Sequence, residues 1–192
     1  WVTGVVTADE TLPADVVVLG IGVRPNTRLA RDAGLPTGET GGVQTDRRHA
    51  VGGHDGVWAA GDCVESFHRV SQRPAVIALG THANKQGRVA GDNICGVPSV
   101  FKGGVGSFIM KGFDMSIGAA GLTLEGAREA GFEADISLTS PIDRAHFYPT
   151  QAVTCFLMVF DRRTRRVLGL QGIGPMGDGI LARINGAAPL LC

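Results

Sequence analysis

The sequence lacks a close pair of cysteines. Its four cysteines, Cys63, Cys95, Cys155 and Cys192, are widely separated and form no Cys-x-x-Cys motif. Disulfide frameworks and zinc sites need closely or regularly spaced thiols, so this spacing argues against both kinds of site. We therefore predict no metal ligands, and we interpret each cysteine as a small buried hydrophobe or a surface thiol.

Long apolar runs and an excess of one charge are also missing. No run approaches the ~18 consecutive apolar residues of a membrane helix, and the first residues do not resemble a signal peptide. The 18 basic and 18 acidic residues cancel, and Thr164 interrupts the basic run within residues 161–166. Such a run is typical of a charged hairpin turn, not of a nucleic-acid patch. These absences predict a cytoplasmic protein that binds neither membrane nor nucleic acid.

Glycine, in contrast, is abundant: the 29 glycines are about double the average share. Several of them follow or precede short apolar segments, a pattern typical of buried parallel strands that end in loops. Three segments of this kind are predicted strands: residues 16–19, 43–45 and 56–60. Asn26 or Thr27 is a candidate cap for a short helix that Gly34 would end.

Residues 78–94 follow a helical pattern with small side chains at spacings of three and four. The small residues are Ala83, Gly87, Ala90 and Gly91. A helix with such a stripe can lie close to a sheet or a ligand. Pro98 stops the pattern, and we place a domain boundary near residue 100.

The second half of the sequence alternates differently, with strands grouped around two helices. The predicted strands are residues 106–110, 115–119, 134–139, 153–160 and 166–173, and the predicted helices are residues 124–130 and 177–185. The connection 160–167 has the polar tip of a hairpin. The sequence therefore predicts an α/β part followed by an α+β part.

The strongest local signal for chemistry is the segment 56–62, in which a strand ends in small residues followed by Gly61 and Asp62. Small residues let a sugar-phosphate chain approach the backbone, and a carboxylate can accept hydrogen bonds from hydroxyl groups. Open α/β sheets bind ligands at such strand ends. Alternatively, Asp62 caps a helix, and Gly20 and Gly22 form an ordinary turn.

This segment resembles the second flavin motif of the FAD/NAD-linked disulfide reductase superfamily. Residues 18–26 resemble the superfamily's crossover from the nicotinamide domain to the flavin domain, and residues 83–94 resemble the helix that follows the aspartate. The resemblance implies that residues 1–100 hold the end of a nicotinamide domain and the carboxy-terminal part of a Rossmann-like FAD-binding domain. Residues 101–192 would be a reductase dimerisation domain, truncated at its end.

The resemblance also implies which residues contact the cofactor FAD. Gly61 and Asp62 would bind the ribityl-pyrophosphate region, and Gly22 belongs to the crossover. The amino-terminal turn of the helix, with Ala78, Leu79 and Gly80, would point at the pyrimidine edge of the flavin. Free backbone donors and the positive end of the helix dipole stabilise negative charge on a reduced flavin there.

Within the superfamily, the second half is most similar to the coenzyme A-disulfide reductase, NADH oxidase and NAD(P)H polysulfide reductase group. Residues 144–150 and 169–174 carry this similarity. It implies that Tyr148, with His146 as a weaker companion, reaches the partner subunit's active site and donates a hydrogen bond to a sulfur leaving group. Alternatively, His146, Phe147 and Tyr148 pack the edge of the domain.

The implied parent enzyme is a homodimer that passes hydride from NAD(P)H to FAD and reduces a disulfide, a polysulfide or dioxygen. Its amino-terminal phosphate-binding motif, redox cysteine and nicotinamide platform are expected outside this sequence, so we expect the isolated 192 residues to be an inactive fragment. Two alternatives stay open. One is a dimerisation module without flavin, and the other is a ferredoxin-reductase-type flavoenzyme.

Overall fold

The structure is a computed structural model that describes residues 1–175 and 178–191, so that Gly177, predicted to start a helix, and Cys192 lie outside it. The described part contains nine strands and four helices. The strands are β1 (Gly4–Val6), β2 (Thr11–Pro13), β3 (Ser66–His68), β4 (Arg73–Ala75), β5 (Phe108–Gly112), β6 (Met115–Gly121), β7 (Ala134–Thr139), β8 (Cys155–Asp161) and β9 (Val167–Pro175). The helices are α1 (Arg28–Asp32), α2 (Gly80–Ile94), α3 (Leu124–Glu129) and α4 (Asp178–Ala187), and a 3-10 turn covers Ala188–Leu191.

The second half is built on a five-stranded antiparallel sheet with the strand order β5-β6-β9-β8-β7. Helix α4 packs against β6 and β9. Gly118 makes this approach possible, because a side-chain carbon at that position would lie 3.0 Å from Ile184 Cγ1 and 3.3 Å from Ile180 Cγ2. Both isoleucines are fully buried in the main core, where they join Leu168. The predicted strands and helices of this half are confirmed.

The hairpin between β8 and β9 has the predicted polar tip. Asp161 is buried at its base and accepts hydrogen bonds from the backbone N–H and the hydroxyl of Thr164, at 3.2 and 2.5 Å. The hydroxyl of Thr164 is the main reason that the pKa of Asp161 lies below its ordinary value. Arg165 has a φ of 61°, which completes the tight turn. The basic run is thus a hairpin turn.

Two of the predicted helices in the first half are also confirmed. Helix α1 begins after Thr27, and Gly34, with a φ of 74°, follows its end. Helix α2 spans fifteen residues, with Leu79 at its N-cap position. A small second core surrounds Val43, Val51 and Val64.

The three strands predicted in the first half are wrong. Residues 16–19 have no strand structure, and Val18 is 87% exposed. A strand needs at least one neighbour to complete its backbone hydrogen bonds, and no strand within the described residues pairs with this segment. The other two segments form isolated bridges only, from Val43 to Thr37 and Val64 and from Trp58 to Ala50.

Candidate functional site

The segment around Asp62 is a turn, not the start of a helix. Gly61 has a φ of 91°, a left-handed conformation that favours glycine. The N–H of Val64 donates to the carbonyl of Gly61 at 3.2 Å and closes the turn. Asp62 is exposed at its tip. The next helix along the chain begins at Gly80, so the helix-cap interpretation of Asp62 is wrong.

A buried glutamine, which the sequence analysis missed, holds this turn at both ends. The backbone N–H of Gly61 donates to Gln86 Oε1 at 2.7 Å, and Gln86 Nε2 donates to Ser66 Oγ at 2.6 Å. Gln86 is only 2% exposed. It lies between Ala83 and Ala90 at helical spacings of three and four. A polar residue inside the predicted small-residue stripe was the available signal.

The amino-terminal end of α2 lies next to the same turn. Leu79 occupies the N-cap position with an extended backbone, and its side chain makes no capping hydrogen bond. A side-chain carbon at Gly61 would lie 3.6 Å from Ala83 Cβ, so the turn and the helix are in contact. The N–H groups of Gly80 and Thr81 therefore receive no side-chain cap and remain donors for an acceptor outside the helix, whereas those of Leu79 and His82 already donate to the carbonyls of Ile77 and Leu79.

Three separate segments line one cavity of about 380 Å³ at this place. Its wall comprises Val23, Arg24, Pro25, Asn26, Asp62, Cys63, Val76 and Ala78. The segment predicted as a crossover, the aspartate turn and the approach to α2 are thus brought together. Of the predicted flavin contacts, Asp62 and Ala78 are part of the wall. Gly22, Gly61, Leu79 and Gly80 lie beside it along the chain.

The donors and acceptors around this cavity fit part of a flavin cofactor. The exposed carboxylate of Asp62 can accept hydrogen bonds from hydroxyl groups, and Arg24 can pair with a phosphate. The uncapped donors of α2 suit an acceptor or a negatively charged ring edge. Gly61 adds no side chain that would keep a ligand from the backbone.

Tyr148 lines a different cavity, of about 350 Å³, together with Asp143, Arg144, Gly179, Ala182 and Arg183. The rings of His146, Phe147 and Tyr148 follow one another, with centroids 5.9 and 4.8 Å apart. All three side chains are exposed, Tyr148 by 49%. His146 is exposed beside the cavity but does not line it.

The Tyr148 segment, residues 143–150, is held to α4 by a hydrogen bond from Arg183. Arg183 on α4 donates to the carbonyl of Asp143 at 3.1 Å, and the Arg144 guanidinium donates to the Asp143 carboxylate at 2.6 Å. The hydrogen bond from Arg144 is the largest of the effects that lower the pKa of Asp143. The carboxylate is therefore ionised at neutral pH, and it fixes the start of the segment.

A group of histidines packs near the start of α2. The rings of His49 and His82 lie 5.6 and 6.0 Å from that of Phe101. Burial lowers the pKa of His49, His68 and His82, and for His82 the nearby Lys85 lowers it further. The packing around Phe101 therefore depends on neutral imidazoles.

Within residues 1–175 and 178–191, no helix is both long and apolar enough to cross a membrane. The same residues include no cluster of three or more histidine, cysteine or acidic side chains that could hold a metal ion.

Comparison with known protein families gave two successive matches along the chain. Residues 2–87 match the family model described as pyridine nucleotide-disulphide oxidoreductase. Residues 109–189 match the model for the dimerisation domain of the same oxidoreductases. Together the two matches cover most of the chain.

Curated relatives agree with these matches. A Pyrococcus abyssi protein named NAD(P)H sulfur oxidoreductase (CoA-dependent) is 36% identical over 187 residues, which are 97% of this chain and 41% of the relative. A Methanocaldococcus jannaschii NADH oxidase is 32% identical over 171 residues, 89% of this chain and 37% of the relative. The chain thus spans about two fifths of the length of the curated relatives it matches.

Solved structures show the same fold. A NAD-dependent persulfide reductase from A. fulgidus superimposes with a TM-score of 0.87 at 36% identity, covering 95% of this chain and 33% of that one. A water-forming NADH oxidase from Lactobacillus brevis superimposes with a TM-score of 0.86 at 27% identity, covering 98% and 41%.

Proposed function

The chain belongs to the pyridine nucleotide-disulphide oxidoreductase family. We propose that it is part of an FAD-dependent enzyme that oxidises NAD(P)H and reduces a disulfide or polysulfide. In this proposal, residues 1–100 supply flavin contacts and residues 101–192 supply the dimer interface and a residue for the partner's site.

The observation that carries the flavin part is the common cavity of residues 23–26, Asp62 and Ala78. Asp62 would accept hydrogen bonds from the ribityl hydroxyls, and Gly61 and Gly22 would let the cofactor approach the backbone. The N–H group of Gly80 would stabilise negative charge at the pyrimidine edge, whereas that of Leu79 already donates to the carbonyl of Ile77 at 2.8 Å. Bound FAD would supply acceptance of hydride from NAD(P)H and transfer of electrons to the acceptor.

A sulfur acceptor is favoured over dioxygen by the relatives. The sulfur oxidoreductase from Pyrococcus abyssi and the persulfide reductase from A. fulgidus are each 36% identical to this chain, against 32% and 27% for the NADH oxidases from Methanocaldococcus jannaschii and Lactobacillus brevis. Tyr148 would donate a hydrogen bond to the departing thiolate or sulfide, with His146 beside it. The exposure of both side chains supports a role at a partner's surface.

Support for a homodimer comes from the free face of the five-stranded sheet. Residues directly opposite one another on paired strands share a face, and this register puts Phe108, Met110, Leu138 and Ile173 on the side away from α4. All four are exposed, Leu138 by 65%. Several exposed apolar side chains on one face of a sheet are typical of a protein interface.

The test is a comparison of acceptors in the full-length protein. We expect a visible flavin spectrum, a dimeric mass, and NAD(P)H oxidation that is faster with polysulfide or coenzyme A disulfide than with dioxygen alone. Asp62→Ala should weaken flavin binding. A dimer without flavin bands would overturn the proposal in favour of a dimerisation module. Oxidation that is indifferent to added sulfur compounds would overturn the choice of acceptor.

A further inference from the structure

Among the described residues, Gln86 is the only residue of α2 whose hydrogen bonds reach both ends of the aspartate turn, residues 61–66. Its Oε1 accepts from Gly61, immediately before Asp62, and its Nε2 donates to Ser66, at the start of β3. The two bonds measure 2.7 and 2.6 Å. A single side chain therefore closes the segment 61–66 as a loop against the helix.

The orientation of this amide is determined by its partners. The backbone N–H of Gly61 can only donate, so it requires the oxygen of Gln86, and the nitrogen of Gln86 then has the Ser66 hydroxyl as its acceptor. Because the side chain is 2% exposed, water cannot replace either partner. A buried polar group whose partner is lost costs more than the bond itself contributes. The position of the Gly61 N–H relative to α2 thus depends on Gln86, while backbone hydrogen bonds of Val64 and Val43 close the rest of the turn.

The helix that carries Gln86 also carries the other part of the candidate flavin site. The uncapped amino-terminal end of α2 begins at Gly80, two helical turns or less before Gln86. Movement of α2 would therefore move its N–H groups and the Asp62 turn together. The amide of Gln86 fixes the distance between the two sets of contacts.

We infer that Gln86 is a positioning residue for flavin binding, which acts by holding the Gly61–Asp62 turn at a set place relative to the amino-terminal end of α2. This inference rests on the proposed function. Gln86 does not itself line the cavity that Asp62 and Ala78 share. Its effect on a bound flavin would pass through Asp62.

The test uses the full-length holoprotein and measures the dissociation constant of FAD by flavin fluorescence. Gln86→Leu removes both hydrogen bonds, and we expect the dissociation constant to rise about tenfold, the effect of one well-placed hydrogen bond. Gln86→Glu keeps the length and an acceptor for Gly61, and the Ser66 hydroxyl can donate to its second oxygen. We expect it to bind FAD within about threefold of the unchanged protein.

Asn93→Leu is the matched control. Asn93 is on the same helix, and its amide nitrogen donates to the carbonyls of Val89 and Ser99, but none of its hydrogen bonds within the described part of the chain reaches the aspartate turn. The same change of amide to aliphatic side chain there should lower stability without weakening flavin binding. Thermal unfolding of each apoprotein separates the two effects.

A double-mutant cycle distinguishes positioning from general stability. If Gln86 acts through Asp62, then Gln86→Leu should have little further effect on FAD binding in an Asp62→Ala background. Full additivity of the two changes would overturn the inference, as would equal losses of affinity in Gln86→Leu and Asn93→Leu. If Gln86→Leu does not fold, Ser66→Ala removes only the orienting hydroxyl, and a dissociation constant that stays unchanged in it would also overturn the inference.

Two outcomes distinguish the role of Gln86 from the flavin site itself. Asp62→Ala without any effect on flavin affinity would contradict the flavin site itself. A clear effect of Asp62→Ala together with normal affinity in Gln86→Leu would leave the site in place and remove only the role of Gln86.

Discussion

The histidines near Phe101 predict that the stability of the folded chain falls in mildly acidic solution. His49 and His68 are buried, and His82 is partly buried. Burial is the main reason that the pKa of each lies below its ordinary value of 6.5. For His82, the nearby Lys85 and His68 act in the same direction, while for His49 the Ala59 backbone and Asp46 partly oppose it.

The sign of the effect follows from proton uptake. As the pH falls through 6.5, the unfolded chain protonates these imidazoles, whereas the folded chain does so only at a lower pH. The unfolded state then binds more protons, so the free energy of unfolding decreases as the pH falls, and the full stabilisation is present above that window. Each histidine contributes a slope of up to about 1.4 kcal/mol per pH unit, so the three together contribute a slope of up to about 4 kcal/mol per pH unit.

The assay is urea unfolding followed by circular dichroism at a series of pH values from about 7.5 to about 5.5. We expect the free energy of unfolding to decrease progressively below 6.5, and His82→Gln to reduce the slope by up to about 1.4 kcal/mol per pH unit. At about pH 7.5 the imidazoles are neutral in both states, so the difference in free energy of unfolding between the variant and the unchanged protein should no longer depend on pH there. A stability that is independent of pH through this range would refute the reasoning.

Three further predictions concern separate parts of the molecule. Ile184→Ala should lower the free energy of unfolding by about 2–5 kcal/mol in urea titrations, because the side chain is fully buried, while Leu190→Ala at an exposed position should change it little. Thr123→Ala should cost about 1 kcal/mol, because its hydroxyl accepts the N–H of Gly126 at 3.1 Å to cap α3, and Thr123→Ser should retain most of that stability. Tyr148→Phe in the full-length protein should slow polysulfide turnover about tenfold or more and leave flavin reduction by NAD(P)H unchanged, and equal turnover in stopped-flow assays would contradict the role of the hydroxyl.

The second half of the chain was predicted well because its order is local. Strand β7 has the predicted bounds, 134–139, and the turn at Thr164 was recognisable from its polar tip. Antiparallel strands joined by short hairpins find their partners nearby along the chain, so alternation and turn residues suffice. The predicted family and the α/β and α+β fold class are confirmed as well.

The first half shows where such reasoning fails. Residues 16–19 have the composition of a buried strand, but composition cannot supply the neighbouring strands that a parallel sheet requires, and the segment is exposed. Gln86 was missed for a different reason. Its place inside the small-residue stripe marks it as a polar residue on the packed face of the helix, but its two partners, Gly61 and Ser66, are set by tertiary packing.

The candidate flavin site at Asp62 and the candidate substrate site at Tyr148 lie in different parts of the chain, and the proposed function combines them through a second copy. Asp62 and Tyr148 line separate cavities, so under the proposed function the tyrosine that meets a sulfur substrate near the flavin would come from the partner subunit. Two-fold symmetry would make this exchange reciprocal. The structural basis lies in α4: it packs on one face of the sheet and, through Arg183, holds the start of the Tyr148 segment, while the opposite face exposes Met110 and Leu138. Because one sheet thus connects the Tyr148 segment to the apolar face, pairing of two sheets would fix the position of each tyrosine relative to the other subunit.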